Sequence, residues 1–179
     1  MSATVKLLAA RDEIKALDKK ASLNMARAIN RAAAQARTQG SKNIRAEVKL
    51  PAAYVNQHLT LAAKANSSRL QAIVRATRRP VLLSRFGAKQ LTKNGKNAGV
   101  SVHVSASGGR KRMPGAFLIR LRGGNGMGIA ARVGKGRNAY EIKYGPSVDQ
   151  VFRNTRADLI EQAQANAIAE FHRLTRAGV

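Results

Sequence analysis

Residues 140–152, Tyr140-Glu141-Ile142-Lys143-Tyr144-Gly145-Pro146-Ser147-Val148-Asp149-Gln150-Val151-Phe152, contain the change of period on which the fold turns. Tyr140, Ile142 and Tyr144 alternate with Glu141 and Lys143, the period of two that a strand with one covered face requires. Gly145-Pro146-Ser147 interrupts that pattern, and Ser147 is a good helix N-cap. Beyond it Val148, Phe152, Thr155, Leu159, Ala163, Ala167, Phe171 and Leu174 recur at threes and fours, one apolar stripe of a long helix. From Val148 to Arg176 that helix would run roughly 40 Å at ~1.5 Å per residue.

Upstream of Tyr140 the strand pattern persists. Leu70, Ala72, Val74 and Ala76 alternate with Gln71, Ile73, Arg75 and Thr77. Val81 to Phe86 follows Pro80, and Val100, Val102 and Val104 alternate with Ser101, His103 and Ser105. Ala116 to Leu121 and Ile129 to Val133 complete the set. Between them lie the turn-formers Lys93-Asn94-Gly95-Lys96-Asn97, Gly108-Gly109 and Gly123-Gly124-Asn125-Gly126. No helical crossover separates these strands, so they are expected to pair antiparallel.

Further upstream the period returns to that of a helix. Ile14, Leu17, Ala21, Met25, Ala28, Ala32 and Ala36 form one stripe between Arg11 and Gln39, with Arg27, Arg31 and Arg37 off it. Asp12, Glu13 and Asp18 suit the N-terminal dipole, and Gly40 reads as a stop. The Ala-rich stripe permits close approach of another helix. Pro51 suits the first position of a second helix reaching about Ala65, with Tyr54, Val55, His58, Leu59 and Ala62 as its apolar face. The order helix, helix, strands, helix predicts an α+β fold, with long N- and C-terminal helices packed on a central antiparallel β-sheet. Residues 1–179 are read as one domain: a helical part to 66, a basic β-sheet region over 67–145, and the C-terminal helix from 146.

Charge dominates the composition: 33 Lys and Arg against 9 Asp and Glu, formally +24. Net charge speaks to partners rather than to fold, and a balance this basic points to nucleic acid, acidic protein surfaces or anionic lipid. No carboxylate occurs between Glu47 and Glu141. Within that span the residues expected to face DNA or an acidic partner are Arg75, Arg78, Arg79, Arg85, Lys89, Lys93, Lys96, Arg110, Lys111, Arg112, Arg120, Arg122, Arg132, Lys135 and Arg137. Ordinary soluble surfaces intersperse both signs.

Catalytic constellations are not expected. With no Cys there is no thiolate nucleophile, no disulfide framework and no Cys-based zinc site. His58, His103 and His172 fall in three different elements, and no nucleophile elbow or paired-carboxylate pattern accompanies them. Asp158 and Glu161 lie one turn apart on a polar helix face, as solvated charges do. Gly134-Lys135-Gly136-Arg137-Asn138-Ala139 fits a dinucleotide-binding spacing, but a strand follows it where a helix should, so it reads as a hairpin loop. No cofactor or metal is expected. Phe86, Phe117, Phe152 and Phe171 occupy apolar positions expected in the core, which leaves no aromatic platform for bases. The N-terminus lacks the apolar stretch of a signal peptide, and no segment approaches the ~20 apolar residues of a membrane span.

Three ordered stretches resemble the prophage minor tail protein Z family of lambda-like siphophages. Ala28-Ile29-Asn30-Arg31 is similar to that family's Ala-rich helix. Pro114-Gly115-Ala116-Phe117 resembles its "PGAF" strand, and Gly145-Pro146-Ser147-Val148 with Gln150 resembles its "GPSV-x-Q" helix start. Glu141 and Asp149 stand where the family often has Pro. The resemblance implies a structural virion protein that completes the tail at the head–tail junction, or neck, and lines or abuts the DNA channel. It implies a homo-oligomeric ring, commonly of six subunits, meeting a tail terminator, tail tube or head–tail connector protein. Double-stranded DNA is the nonspecific ligand implied, and a membrane is not a partner. Localisation would be the virion, after assembly in the host cytoplasm. A six-fold ring would carry about 144 formal positive charges, while a ~40 Å length of duplex offers on the order of 24 phosphates. Part of the basic surface would then dock on acidic neighbours. The rival reading is a free-standing, sequence-nonspecific nucleic-acid-binding protein of ribosomal or nucleoid type.

Overall fold

The computed structural model describes residues 4–8, 19–122 and 126–177. Its contacts group into two compact units, one of residues 1–44, 53–78 and 148–179, the other of residues 45–52 and 79–147. Helices and antiparallel sheets together give the expected α+β class.

The first unit takes strand β1 (Thr4–Leu8), most of helix α1 (Lys19–Glu47), helix α2 (Ala52–His58), strands β2 (Leu59–Ala63) and β3 (Gln71–Ala76), and helix α3 (Val148–Arg176). The strands form an antiparallel sheet in the order β1-β3-β2. Ala72, Val74 and Ala76 of β3 are buried, as the alternation predicts. α3 packs against β1 and β3 and has the predicted bounds. Of its stripe Val148, Phe152, Leu159, Ala163, Ala167 and Leu174 are buried, while Thr155 and Phe171 are half-buried.

α1 departs from expectation at its far end. Gly40 does not stop it; the helix continues to Glu47. A Cβ on Gly40 would lie 2.8 Å from Cε2 of Phe152 and 3.4 Å from Leu159 and Leu59 side chains. Close packing of α3 therefore explains a glycine that intrinsic propensity reads as a terminator. The predicted stripe is buried at Met25, Ala28, Ala32 and Ala36, joined by Ile29, Ala33 and Ile44. Ile14, Leu17 and the acidic residues predicted for the first turn lie outside the described residues.

The second predicted helix also needs correction. α2 ends at His58, and Leu59–Ala63 runs on as β2. Leu59, Leu61 and Ala63 have strand spacing as well as fitting a helical face, and pairing with β3 decides between the two. Arg37 fastens the junction, donating from Nε to the Leu59 carbonyl at 2.7 Å and from Nη2 to that of Asn56 at 3.1 Å.

The second unit holds β4 (Val81–Leu82), a 3-10 turn (Leu83–Arg85), β5 (Lys89–Lys93), β6 (Lys96–Val102), β7 (Lys111–Met113), β8 (Ala116–Arg120), β9 (Met127–Arg132) and β10 (Tyr140–Gly145). One antiparallel sheet runs β4-β10-β9-β8 and a second β5-β6-β7. The strand expected over Val81–Phe86 lasts two residues before turning, which brings the fully buried Phe86 ring over Gly145. A Cβ on Gly145 would sit 2.6 Å from that ring. The Val100–Val104 alternation persists as strand only to Val102. Ser101 is buried along with Val100 and Val102, lying under the exposed Arg110. Gln90 and Asn97 join the sheets: Leu118 N donates to Gln90 Oε1 at 3.0 Å, and Asn97 Nδ2 donates to the Ala116 carbonyl at 3.1 Å.

Candidate polyanion-binding and partner-binding surface

The fifteen basic residues singled out between Glu47 and Glu141 are all exposed. Arg75 and Arg78 belong to the first unit and the remaining thirteen to the second. The second unit as a whole carries sixteen lysines and arginines against two carboxylates, Glu47 and Glu141. Glu141 pairs with Lys143 at 2.5 Å. Coulombic attraction within the unit is therefore a minor force beside the excess of one sign.

Several of the fifteen serve the fold. Arg110 lies across Ser101, donating from Nε to its Oγ at 3.2 Å and from Nη2 to its carbonyl at 3.0 Å, and reaches the Gly87 carbonyl as well. Arg132 donates from Nη1 to the carbonyls of Gly136 and Arg137, both at 3.0 Å, and its guanidinium stands 5.5 Å from the centre of the Phe117 ring. It thereby fixes the loop at 133–139, which joins antiparallel β9 and β10 as the hairpin reading anticipates. Arg78 lies 4.0 Å from the buried carboxylate of Asp149, which Arg153 approaches to 2.6 Å.

Strand register arranges several of the others. Lys89 pairs with Ser101, and Ser101 with Arg112, so one row crosses all three strands of the smaller sheet. Directly paired residues share a face of the sheet. Lys93 stands opposite Lys96 at the end of β5–β6, where Asn94 (φ 50°) and Gly95 (φ 73°) make a two-residue turn with both central residues left-handed. Sequence patterning does not anticipate β5 or β7. Lys89-Gln90-Leu91-Thr92-Lys93 shows a single large apolar residue, so periodicity is silent there. The signal that points to the hairpin is the turn-former Asn94-Gly95.

The family-like motif residues are structural. Ala28 and Ile29 are fully buried in α1. Asn30 clamps a single residue, donating from Nδ2 to the Ala65 carbonyl at 2.9 Å and accepting from Ala65 N at 2.7 Å. Arg31 pairs with Glu170 of α3 at 3.1 Å, and Arg173 approaches the same carboxylate at 2.8 Å. The hydrogen bond from Arg173 leads the causes that hold the Glu170 carboxyl below its ordinary value; desolvation opposes it, and the charges of Arg173 and Arg31 add to it. Gly115 (φ 71°) turns the chain after Pro114 into β8, where Ala116 is buried. The half-buried Phe117 meets Tyr140 edge-on at 6.0 Å. Gly145 makes room for Phe86, Ser147 and Val148 are buried, and Pro146 and the exposed Gln150 flank them.

Groups of catalytic type are dispersed. His103 Nε2 is 2.7 Å from the Gly108 carbonyl, His58 meets the Tyr54 ring at a tilt, and His172 lies beside Phe171. A cavity of about 150 Å³ between α1 and α3 is lined by Gln35, Gln39, Gln162, Asn166 and apolar neighbours, with no ionisable group in its wall. Among the described residues no cluster of His, Asp or Glu could hold a metal ion, and no helix is long and apolar enough to cross a membrane. Of the phenylalanines expected in the core, Phe86 and Phe152 are there, whereas Phe117 and Phe171 are half-buried.

This α+β chain spends its motif residues on packing and presents the fifteen cations to solvent. The chain belongs to the prophage minor tail protein Z family, whose model matches residues 7–174. Its role is accordingly that of a structural component of a phage tail. No curated protein and no solved structure matches it.

Proposed function

We propose that this protein completes the tail at the head–tail junction, as a homo-oligomeric ring of about six subunits. The reading is supported by the family and by one observation above all: an exposed surface of one sign, on a unit with sixteen basic residues and two carboxylates. Like charge on this scale repels itself unless a polyanion or an acidic partner lies against it. A ring around the DNA channel supplies both, with duplex in the lumen and tail terminator, tail tube or connector proteins along the axis. Channel DNA can neutralise a minor share of a ring's charge, so the remainder is assigned to acidic protein neighbours. The chain acts by contact, without turnover, cofactor or membrane, and travels in the neck of the virion after assembly in the host cytoplasm.

The test is deletion of the gene followed by electron microscopy and mass spectrometry of the particles. Tails of normal length that join heads poorly or fail to deliver DNA are expected, and the protein should be found at the head-proximal end of wild-type tails. Absence of the polypeptide from purified particles overturns the reading. The exposed cations also suit a free-standing nucleic-acid binder, for which deletion would leave particle yield and infectivity untouched.

A further inference from the structure

We infer that the β5–β6–β7 sheet is the duplex-DNA contact of this protein, one face of it seated on phosphates without reading bases. This rests on the tail-completion reading for its setting and deepens it by assigning one surface to one ligand.

The two faces of the sheet are unlike. Gln90 and Asn97 bind the backbone of β8, and Val100 and Val102 are buried, so one side is committed to the interior of the unit. Register puts Lys89, Ser101 and Arg112 together on the other side, and the pleat places Lys93, with Lys96 opposite it, on the side of Lys89. Ser101 is 6% exposed because Arg110 lies over it, adding a fifth cation to the row. Lys89, Lys93, Lys96 and Arg112 are exposed, and the side chain of none has a hydrogen bond or ion pair among the described residues.

Composition chooses between the two polyanions on offer. The cores of protein–protein interfaces are depleted of Lys and anchored by aromatics and Met. This face has three lysines and two arginines around Ser101, Gly99 and Leu91, with no aromatic anchor. Point charges on flexible stems suit phosphate contacts, which position a protein without specifying a sequence. Dimensions agree. Lys89 and Lys93 are four residues apart, ~14 Å along a strand, comparable to the ~12 Å width of the major groove. Arg112 lies two strands from Lys89, roughly 10 Å across the sheet. The hairpin is a two-stranded ribbon closed by a two-residue turn, a shape that the major groove admits.

The test uses the full-length protein and a fluorescein-labelled 30-base-pair duplex of random sequence, with anisotropy measured between 50 and 200 mM salt. Each phosphate contact contributes about 0.9 to the slope of log affinity against log salt. The quadruple variant Lys89→Gln, Lys93→Gln, Lys96→Gln, Arg112→Gln should lose about 3.6 of that slope, and the tip pair Lys93→Gln, Lys96→Gln about half as much. A charge-matched control, Arg27→Gln, Lys42→Gln, Lys64→Gln, Arg176→Gln, should retain most of the slope. Equal losses in both quadruple variants would assign binding to net charge and overturn the inference. An unchanged DNA slope with lost pull-down of tail proteins would overturn it in favour of an acidic protein partner. Particle incorporation is scored separately: a variant that enters tails but binds duplex weakly supports both readings. Wild-type protein that binds duplex through this face yet never enters a particle sinks the tail reading alone.

Discussion

Asn30 shows how much one side chain of this protein decides. Both its amide atoms are spent on the backbone of Ala65, itself 7% exposed, so truncation strands a buried N–H and a buried carbonyl together. At ~1–3 kcal/mol for each orphaned group, Asn30→Ala should cost about 2–6 kcal/mol in chemical denaturation. Asn30→Asp keeps the acceptor but turns a carboxylate toward a carbonyl, and should be little better. Glu170 behaves differently because its partners are charged. Its carboxyl is held below the ordinary value by Arg173 and Arg31, so its contribution to stability is present above the unfolded-state value. That contribution disappears as pH falls through the lowered, folded-state value. A Glu170→Gln variant should therefore melt below wild type at neutral pH and converge with it in acid, and differential scanning fluorimetry across that range would show it. A gap that widens as pH falls would contradict the assignment.

At the scale of elements, glycine is the residue that matters most. Gly40→Ala sets a gain of ~1 kcal/mol in helix propensity against overpacking, which costs ~1–3 kcal/mol when neighbours cannot yield. Phe152 is 1% exposed, and Leu159 and Leu59 close the site on either side, so overpacking should win. A net loss of roughly 1 kcal/mol is expected by urea denaturation; a stabilised variant would show that the helices can separate. The same glycine explains part of what sequence could not reveal. Local propensity sees the entropy of Gly40 but not the ring that will lie on it. α3, by contrast, is legible to the residue, because a long stripe bounded by Gly145-Pro146-Ser147 admits one period. β2 is hidden because Leu59 fits both periods, and β5 and β7 because polar residues dominate them. The basic surface is thus readable as composition, while the row of Lys89, Ser101 and Arg112 depends on a strand register that no local pattern encodes.

For the whole molecule the balance lies between the ion pairs of the described residues and a formal charge of +24. The described pairs centre on Glu170, Asp149 and Glu141; those of Glu170 and Glu141 reach cations that lie partly in solvent and are weakened by salt, whereas Asp149 is buried beside Arg153. Self-repulsion among 33 cations outweighs them, and it too is screened by salt. Thermal stability of the isolated protein should therefore rise between 20 and 300 mM sodium chloride, whereas a fold held by its surface pairs would soften. The comparison takes a single melting series. Docking on an anionic neighbour would achieve what added salt does, which is why stability and assembly are coupled in the proposed role.

The order of segments has a further consequence. The first unit draws on residues 1–44, 53–78 and 148–179, whereas the second is complete once Ser147 has been made. During translation the β-rich unit can thus close while α1 and β3 still wait for Phe152 and Leu159 to leave the ribosome. A premature stop within α3 would spare the cationic sheets and leave an Ala-lined helix uncovered, a polypeptide fit for degradation rather than for a particle.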